Sequence, residues 1–304
     1  MAISRAQLVK ELEPGLNALF GLEYKRYDNQ HAEIYTNESS DRAFEEEVML
    51  SGFANANVKV EGSGVNYDQS QETYTARYTH DTIALAFAIT EEAIEDNLYD
   101  RISSRYTKAL ARSMSNAKQV KAAAPLNNGL PTADNFDSGD GVSLFNTSHT
   151  TVSGTSVKNT LTTQADLNET SLEQALIDIA AFTDERGLRV AAKGVKMIIP
   201  SANQFSAERL LKSQGRTGTA DNDINAVASM GMVPQGYRVN NFLTDSDSWY
   251  IITDCPNGMK MFTRAPLTTA MEGDFDTGNV RYKARERYSF GVSDYRGIFG
   301  CEGA

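Results

Sequence analysis

The sequence contains few of the residues that metal-binding or cross-linked proteins require. Its 304 residues include two cysteines and three histidines. Two cysteines are too few for a disulfide framework, and Cys255 and Cys301 do not form a Cys-x-x-Cys pair. No histidine has the His-x-x-x-His or Glu-x-x-His spacing of a helical metal site. We therefore expect no metal and no cofactor.

Positive charge is scarce and apolar runs are short. Lys and Arg number 29 against 40 Asp and Glu, which gives a formal net charge of -11. Because phosphate binding depends on clustered Lys and Arg, this balance argues against a nucleic-acid-binding surface. No run approaches the roughly 18 apolar residues of a membrane span, and the first residues contain no signal-peptide core. We expect a cytosolic protein of ordinary globular composition.

Three local patterns could imitate a catalytic or binding site, and for each of them another interpretation is stronger. His149 lies among serines and threonines, which we interpret as a solvated polar loop rather than a nucleophile setting. The glycines at 62–64 and 215–219 lack the spacing of a phosphate-binding loop. Glu45–Glu47 could bind a cation, but consecutive carboxylates more often form a solvated face. The sequence therefore predicts no catalytic, cofactor-binding or metal-binding residue.

The N-terminal part of the chain predicts a short helix followed by an arm. Ser4 and Gln7 form a capping box, and the helix that they open is interrupted at Pro14. Residues 23–40 show neither helical nor alternating periodicity. We therefore expect them to extend over a surface.

A long β-hairpin is predicted next. Runs with strand propensity at 54–60 and 73–88 flank a polar, glycine-rich tip at 61–70. The two arms carry few large apolar side chains, so the hairpin has little core of its own. We expect it to need a partner surface in order to become ordered.

A long helix is predicted for residues 90–124. Thr90 is its expected N-cap, and Pro125 is expected to end it. At 1.5 Å per residue this helix would be roughly 50 Å long, whereas a compact chain of this length has a radius of gyration of ~19 Å. Such proportions indicate a plate rather than a ball. Apolar residues at helical spacing include Ile94, Leu98, Ile102 and Leu110.

The remainder of the chain predicts loops and then mixed α/β structure. Residues 126–161 are rich in Asn, Gly, Ser and Thr and are expected to form loops. One helix begins at a Thr170–Glu173 capping box and ends with Gly187 at C′, and Ser201 with Gln204 caps a second helix. We expect strands at 194–199, 237–239, 249–253, 259–263, 280–287 and 289–293.

The order of these elements resembles the major capsid proteins of tailed bacteriophages with the Hong Kong 97-type fold, which encapsulins share. The most telling stretch is Phe87–Asn97, which is similar to the family's junction between its E-loop hairpin and its spine helix. Asp184–Val190, Met197–Pro200 and Tyr288–Gly297 are further matches. The resemblance covers nearly the whole chain and implies an α+β fold.

The resemblance also implies a division of the chain. It assigns residues 1–50 to an N-terminal arm with a short helix and 51–89 to the E-loop hairpin. Residues 90–165 and 260–304 would form a peripheral domain that contains the spine helix and a β-sheet. Residues 166–259 would form an axial α/β domain.

The function implied by the resemblance is that of a structural subunit and not of an enzyme. Copies would assemble as hexamers and pentamers into an icosahedral head, made in the bacterial cytoplasm, that encloses double-stranded DNA with weak nonspecific contacts. A separate scaffolding protein, a portal and decoration proteins are the expected further partners, and no membrane is involved. The expected assembly residues are Lys59, Glu61, Tyr67, Gln71, Tyr74 and Arg77 in the E-loop, the spine residues named above, and Gly215, Arg216 and Gly218 in an axial loop.

Two alternatives remain open at this point. The same fold could form an encapsulin-like compartment, which would hold enzymes instead of DNA. The chain could also be a soluble α/β enzyme with a substrate cleft near residues 214–220, although no catalytic constellation favours that interpretation.

Overall fold

A computed structural model describes residues 5–92, 99–130, 136–215, 223–274 and 278–304. In these residues the structure combines helices with two four-stranded sheets. The helices are α1 (Arg5–Arg26), α2 (Tyr99–Asn128), α3 (Glu169–Ala180), α4 (Gln204–Lys212) and α5 (Ala226–Met230). The strands are β1 (Thr36–Ser39), β2 (Phe44–Leu50), β3 (Glu72–Thr79), β4 (Asp81–Ile89), β5 (His149–Thr150), β6 (Ser156–Val157), β7 (Gly194–Ile199), β8 (Tyr237–Val239), β9 (Trp249–Thr253), β10 (Met259–Gly273), β11 (Val280–Val292) and β12 (Ile298–Cys301).

The first sheet has the strand order β1-β10-β11-β4, in which β1 is parallel to β10 and the other pairs are antiparallel. Helices α1 and α2 pack against one of its faces. The apolar side chains buried between them include Leu16, Phe20, Leu110, Met114 and Tyr282.

The second sheet has the order β12-β9-β7-β8 and contains the larger core. Trp249, Tyr250 and Ile251 of β9 are fully buried, as is Phe299 of β12. The resemblance would assign residues 260–304 to the peripheral domain, whereas β12 pairs with β9 in this second sheet. The side chains of β12 complete the core around β9. The domain boundaries remain a proposal.

The N-terminal helix is longer than predicted. α1 continues through Pro14 to Arg26, so the prediction of an interrupted helix is wrong, as is that of an extended arm for residues 23–26, whereas β1 at 36–39 is extended along β10. Pro14 has no N–H and leaves one carbonyl of the preceding turn without its helical partner. Burial of Leu16 and Phe20 against α2 and the first sheet offsets this cost.

The hairpin begins earlier in the chain than predicted, because its strands are β2 and β3. Residues 54–60, which were expected to form a strand, are exposed and form none; the Ala54 N–H donates to the Asp68 carboxylate at 2.7 Å and not to a strand partner. The predicted strand 73–88 is divided at His80. β3 belongs to the hairpin, whereas β4 pairs with β11 in the first sheet.

The long helix does not end before Pro125. α2 continues to Asn128, and this end of the helix is stabilised by tertiary hydrogen bonds. The Tyr35 hydroxyl donates to the carbonyl of Ala122 at 2.6 Å, and the Tyr250 hydroxyl donates to that of Leu126 at 3.2 Å. Tertiary partners thus satisfy backbone carbonyls near the proline, and the predicted terminus is wrong.

Helix caps also differ from the sequence prediction. The capping box of α3 consists of Asn168 and Ser171, and not of Thr170 and Glu173 as predicted. The helix ends at Ala180, well before Gly187. Gly187 has a φ of +83° in a tight turn in which its N–H donates to Asp184. At α4 no side chain makes the predicted cap hydrogen bond.

The predicted strands of the C-terminal half are mostly correct. The strands at 194–199, 237–239 and 249–253 have the bounds that we expected. β10 is longer than predicted, and the two strands expected at 280–287 and 289–293 are one continuous strand, β11. Residues 136–161 form loops with the short hairpin of β5 and β6.

Candidate functional site

The most exposed apolar part of the described chain is the segment that joins β2 to β3, which we call the hairpin loop (residues 51–71). Val58 is 93% exposed and Tyr67 97% exposed, and Phe53, Val60 and Val65 are also exposed. The pairing of β2 with β3 ends at Leu50 and Glu72, and directly beyond it the Ser51 N–H donates to the Gln71 carbonyl at 2.9 Å. Most of the backbone of the hairpin loop has no strand partner. The hairpin loop therefore presents unpaired backbone and apolar side chains to its surroundings.

The base of the hairpin is fixed by an ion pair whose lysine is buried and whose carboxylates are partly exposed. Lys260 Nζ on β10 lies 2.5 Å from the Glu47 carboxylate on β2 and 3.1 Å from that of Glu38 on β1. Burial alone would lower the pKa of Lys260, but its hydrogen bonds to the two carboxylates outweigh this and raise the pKa above its ordinary value. The interpretation of Glu45–Glu47 as a solvated face is thus wrong for Glu47.

A chain of hydroxyl groups strengthens this anchor. The Tyr78 hydroxyl on β3 lies 2.5 Å from Ser293 Oγ, which in turn donates to Glu47. Tyr78 is 2% exposed and packs edge-on against Phe262 with ring centroids 4.7 Å apart. The first sheet therefore fixes the position of β2 and β3, while the hairpin loop extends beyond them.

The structure places the expected E-loop residues in two environments. Lys59, Glu61 and Tyr67 are exposed on the hairpin loop, and Gln71 at its end is exposed as well. Tyr74 instead lies partly buried beside Tyr295, with ring centroids 6.3 Å apart.

Arg77 is exposed on the strand face of the hairpin. Its guanidinium stacks over the Phe44 ring at 4.0 Å and lies 3.8 Å from the Glu46 carboxylate. Both neighbours belong to β2. Arg77 therefore joins the two strands of its own hairpin in the subunit.

Few of the other expected assembly residues can be located. Leu110 is 4% exposed and packs in the core between α1, α2 and the first sheet. Gly215 is exposed. The placement of Ile94, Leu98, Arg216 and Gly218, and the side chain of Ile102, lie outside the described residues.

His149 is buried, so its interpretation as part of a solvated loop is wrong. Its Nδ1 lies 2.6 Å from Asp140, its Nε2 lies 3.1 Å from Asn159, and its ring stacks on Tyr295 at 3.9 Å. Burial would raise the pKa of Asp140, but hydrogen bonds from His149 and Ser138 outweigh this and lower it. These contacts join the loops that carry Asp140 and Asn159 to the turn that carries Tyr295.

Sequence reasoning missed an ion cluster next to His149. Arg296 is 3% exposed, donates to Glu185 at 2.5 Å and to Asp294 at 3.2 Å, and lies over the Tyr295 ring at 4.5 Å. Burial raises the pKa of Asp294 even though Arg296 opposes this effect. Asp294 and Arg296 lie within Tyr288–Gly297, one of the stretches that resemble the family, but the resemblance gave them no role.

The described residues give no indication of a metal centre or a membrane span. No group of three His, Cys, Asp or Glu in the described ranges could hold a metal ion. Within the same ranges, no helix combines the length and the apolar character needed to cross a bilayer.

Comparison with known proteins identifies the family. The model of a family described as phage capsid protein matches residues 73–300, about three quarters of the chain. No curated protein matches the sequence.

Solved structures share the fold at low sequence identity. The capsid of an empty GTA particle is 14% identical, with 91% of each chain covered and a TM-score of 0.58. The procapsid of bacteriophage JBD30 is 14% identical, with 99% of this chain and 77% of that chain covered and a TM-score of 0.55. A virus-like particle from Pyrococcus furiosus is 11% identical, with 95% and 98% covered and a TM-score of 0.53.

These matches confirm the resemblance and the α+β fold that it implied. The family model covers the strands and helices from β3 to β12. The matched structures extend over nine tenths or more of the chain. The chain therefore belongs to the phage capsid protein family, whose members are structural shell subunits of phage heads.

Proposed function

We propose that this subunit assembles through its hairpin loop into an icosahedral head of hexamers and pentamers that encloses double-stranded DNA. The observation that carries the proposal is the hairpin loop itself, with Val58 and Tyr67 more than nine tenths exposed on a rigidly anchored base. Apolar side chains at such a tip gain stability only when another surface covers them. A neighbouring copy supplies that surface in a closed ring of identical subunits.

Repetition explains how modest contacts hold a shell. Each subunit in a closed shell contacts several neighbours, so dissociation requires many contacts to break together. α1 packs on its own subunit through Leu16 and Phe20, and we therefore assign contact across the subunit boundary to the hairpin loop and not to α1.

The chain is a structural protein, and we propose that it has no catalytic activity. We also propose that it assembles in the bacterial cytoplasm with a separate scaffolding protein, joins a portal, and accepts decoration proteins. Its net charge of -11 supports weak, nonspecific contact with packaged DNA, since like charges repel. Gly215 is exposed, which supports the proposal that an axial loop contacts the same loop of neighbouring copies in a ring.

Electron microscopy of the expressed protein tests the proposal. The chain is expressed alone and together with the phage genes that neighbour its own, and particles are examined by negative staining and for nucleic acid. A matched variant replaces residues 53–69 with a short Asn-Gly turn, which leaves β2, β3 and the Lys260 anchor in place. We expect closed DNA-containing shells from the native chain and folded, unassembled subunits from the variant.

Other outcomes would contradict the proposal. Shells that contain a cargo protein and no DNA would indicate an encapsulin-like compartment. Small, discrete oligomers by light scattering would indicate a soluble enzyme or another non-shell protein. Closed shells from the variant that lacks residues 53–69 would remove the hairpin loop from the assembly interface.

A further inference from the structure

An exposed Asn-Gly pair, Asn257 and Gly258, lies in the turn between β9 and β10. Asn257 has a φ of +59°, in the left-handed region, and its side chain is exposed. Asn is one of the few residues other than glycine that tolerate this conformation. Within the described residues its carboxamide makes no hydrogen bond, so the side-chain carbonyl carbon is open to attack.

The residue that follows has to be glycine for a steric reason. A Cβ on Gly258 would lie 2.8 Å from the Cα of Gly297, so no larger residue fits there. The Gly258 N–H donates no hydrogen bond to any described residue. The turn therefore places a free and unshielded amide nitrogen directly after an exposed asparagine.

An asparagine side chain in this setting can react with the main chain that follows it. The Gly258 nitrogen loses its proton to water and attacks Cγ of Asn257, the C–N bond to the side-chain nitrogen breaks, and ammonia leaves a five-membered succinimide ring. Water then opens the ring. Addition at the former side-chain carbonyl gives aspartate, whereas addition at the main-chain carbonyl gives isoaspartate, whose main chain is longer by a methylene group.

The chain contains a second Asn-Gly pair, which the fold protects. Asn128 is the last residue of α2, and Gly129 is buried. The Gly129 N–H donates to the Pro125 carbonyl at 3.0 Å, and the Gly129 carbonyl accepts from the Phe145 N–H at 2.9 Å. This nitrogen can react only after the surrounding structure opens, which costs free energy. The two pairs therefore differ in reactivity because of their structural settings.

We propose that Asn257 is a site of spontaneous covalent modification, and that its conversion to isoaspartate loosens the turn that supports the base of the hairpin. Two main-chain hydrogen bonds connect this turn to the residues that follow β11. The Asn257 carbonyl accepts from the Asp294 N–H at 2.9 Å. The Gly258 carbonyl accepts from the Ser293 N–H at 3.1 Å. The Ser293 hydroxyl in turn lies 2.5 Å from that of Tyr78 on the hairpin.

The modified turn has no room for the longer main chain. A Cβ on Gly297 would lie 2.2 Å from the Cα of Gly258, so the two backbones already touch. Interiors packed this closely respond to a single added methylene group. The product also places a new carboxylate beside the buried Asp294, and like charges repel. Both effects arise within one subunit, so the inference goes beyond the proposed function and does not rest on it.

Peptide mapping of the incubated native protein tests the site. The full chain is kept at mildly alkaline pH, which favours loss of the amide proton, and both Asn-Gly pairs are followed in the same digest. Conversion is detected by the mass gain of an acid over an amide and by separation of the isoaspartyl peptide. We expect Asn257 to convert at least about tenfold faster than Asn128, because only the latter requires local opening. Asn257→Gly keeps the left-handed turn and should abolish conversion at this position.

A second measurement separates the added charge from the added length. The isoaspartyl form is isolated from aged protein by anion exchange and compared with Asn257→Asp, which carries the same charge on a main chain of ordinary length. Hydrogen exchange at Ser293 and in β3 should be about tenfold faster in the isoaspartyl form than in Asn257→Asp.

Two outcomes would overturn the inference. Conversion of Asn257 that is no faster than that of Asn128 would remove the site. Equal hydrogen exchange in the isoaspartyl form and in Asn257→Asp would remove its effect on the base of the hairpin. The proposed function is judged by whether the native chain forms shells, so neither outcome bears on it.

Discussion

Lys260 is the cation that fixes the base of the hairpin, and its replacement tests how the hairpin is held. Its Nζ contacts Glu47 and Glu38, and its side chain is only 8% exposed. Lys260→Met keeps the apolar stem and removes the charge. The carboxylates of Glu47 and Glu38 then remain close together without a cation.

The expected loss of stability follows from the exposure of the two carboxylates. Removal of one partner from a fully buried ion pair costs about 3–5 kcal/mol, whereas an exposed pair contributes about 0–1 kcal/mol. The side chains of Glu47 and Glu38 are 26% and 42% exposed, so water solvates both in part once Lys260 is gone. We expect the free energy of unfolding to fall by about 2 kcal/mol.

Urea unfolding of the unassembled subunit measures this change, with Lys59→Met as the matched control. Lys59 is exposed on the hairpin loop, so its replacement should alter stability by no more than about 0.5 kcal/mol. Hydrogen exchange in β2 and β3 should accelerate in Lys260→Met alone. Equal stability of Lys260→Met and Lys59→Met would refute the argument that this ion pair anchors the hairpin.

The pH dependence gives a second check on the same residue. The pKa of Lys260 is raised in the folded subunit, so its contribution is fully present below the ordinary lysine pKa and is lost only as the pH rises through the raised value. The stability difference between Lys260→Met and the native subunit should therefore stay constant from about pH 6 to about pH 9. A difference that shrinks within this window would contradict the assignment.

Three further predictions concern the fold. Burial, with Lys118 adding to it, lowers the pKa of His31 to about 4, so the free energy of unfolding should fall by up to about 3 kcal/mol as the pH drops from the ordinary histidine pKa towards 4. His31→Phe should flatten this part of the pH profile measured by urea unfolding. An unchanged profile would contradict the burial of a neutral imidazole. Leu110→Ala should cost about 2–5 kcal/mol in urea unfolding, and a loss under about 1 kcal/mol would mean that α1 does not pack there. Gly297→Ala would place a Cβ 2.2 Å from the Gly258 Cα, so thermal unfolding should show a loss of at least about 2 kcal/mol; a native melting temperature would contradict this contact.

Local patterns predicted the buried strands well, because their apolar runs and flanking turns are recorded in the sequence. The bounds of β7 and β9 were predicted correctly, and the resemblance predicted the family. Pro14 and Pro125 misled the reasoning, since tertiary contacts sustain both helices past these residues. The side chains that bury Phe20 of α1 come from segments distant in the sequence. So does the Tyr250 hydroxyl, which donates to the Leu126 carbonyl of α2.

The hairpin and the buried polar clusters were the least predictable features. The alternation at 54–60 indicated a strand, but a strand needs a partner, and the described chain provides none. Lys260 and Glu47 are more than two hundred residues apart, so no local pattern connects them. His149 looked solvated because its sequence neighbours are polar, whereas Tyr295 and Asp140 enclose it.

Hydrogen exchange across the hairpin loop, measured in free subunits and in assembled shells, tests the central claim most directly. We predict that amides in residues 51–71 exchange rapidly in the free subunit, where they have few hydrogen-bond partners, and become strongly protected in the shell. Protection that is already high in the free subunit would mean that the loop folds on its own body. Rapid exchange in both states would mean that no neighbour covers it.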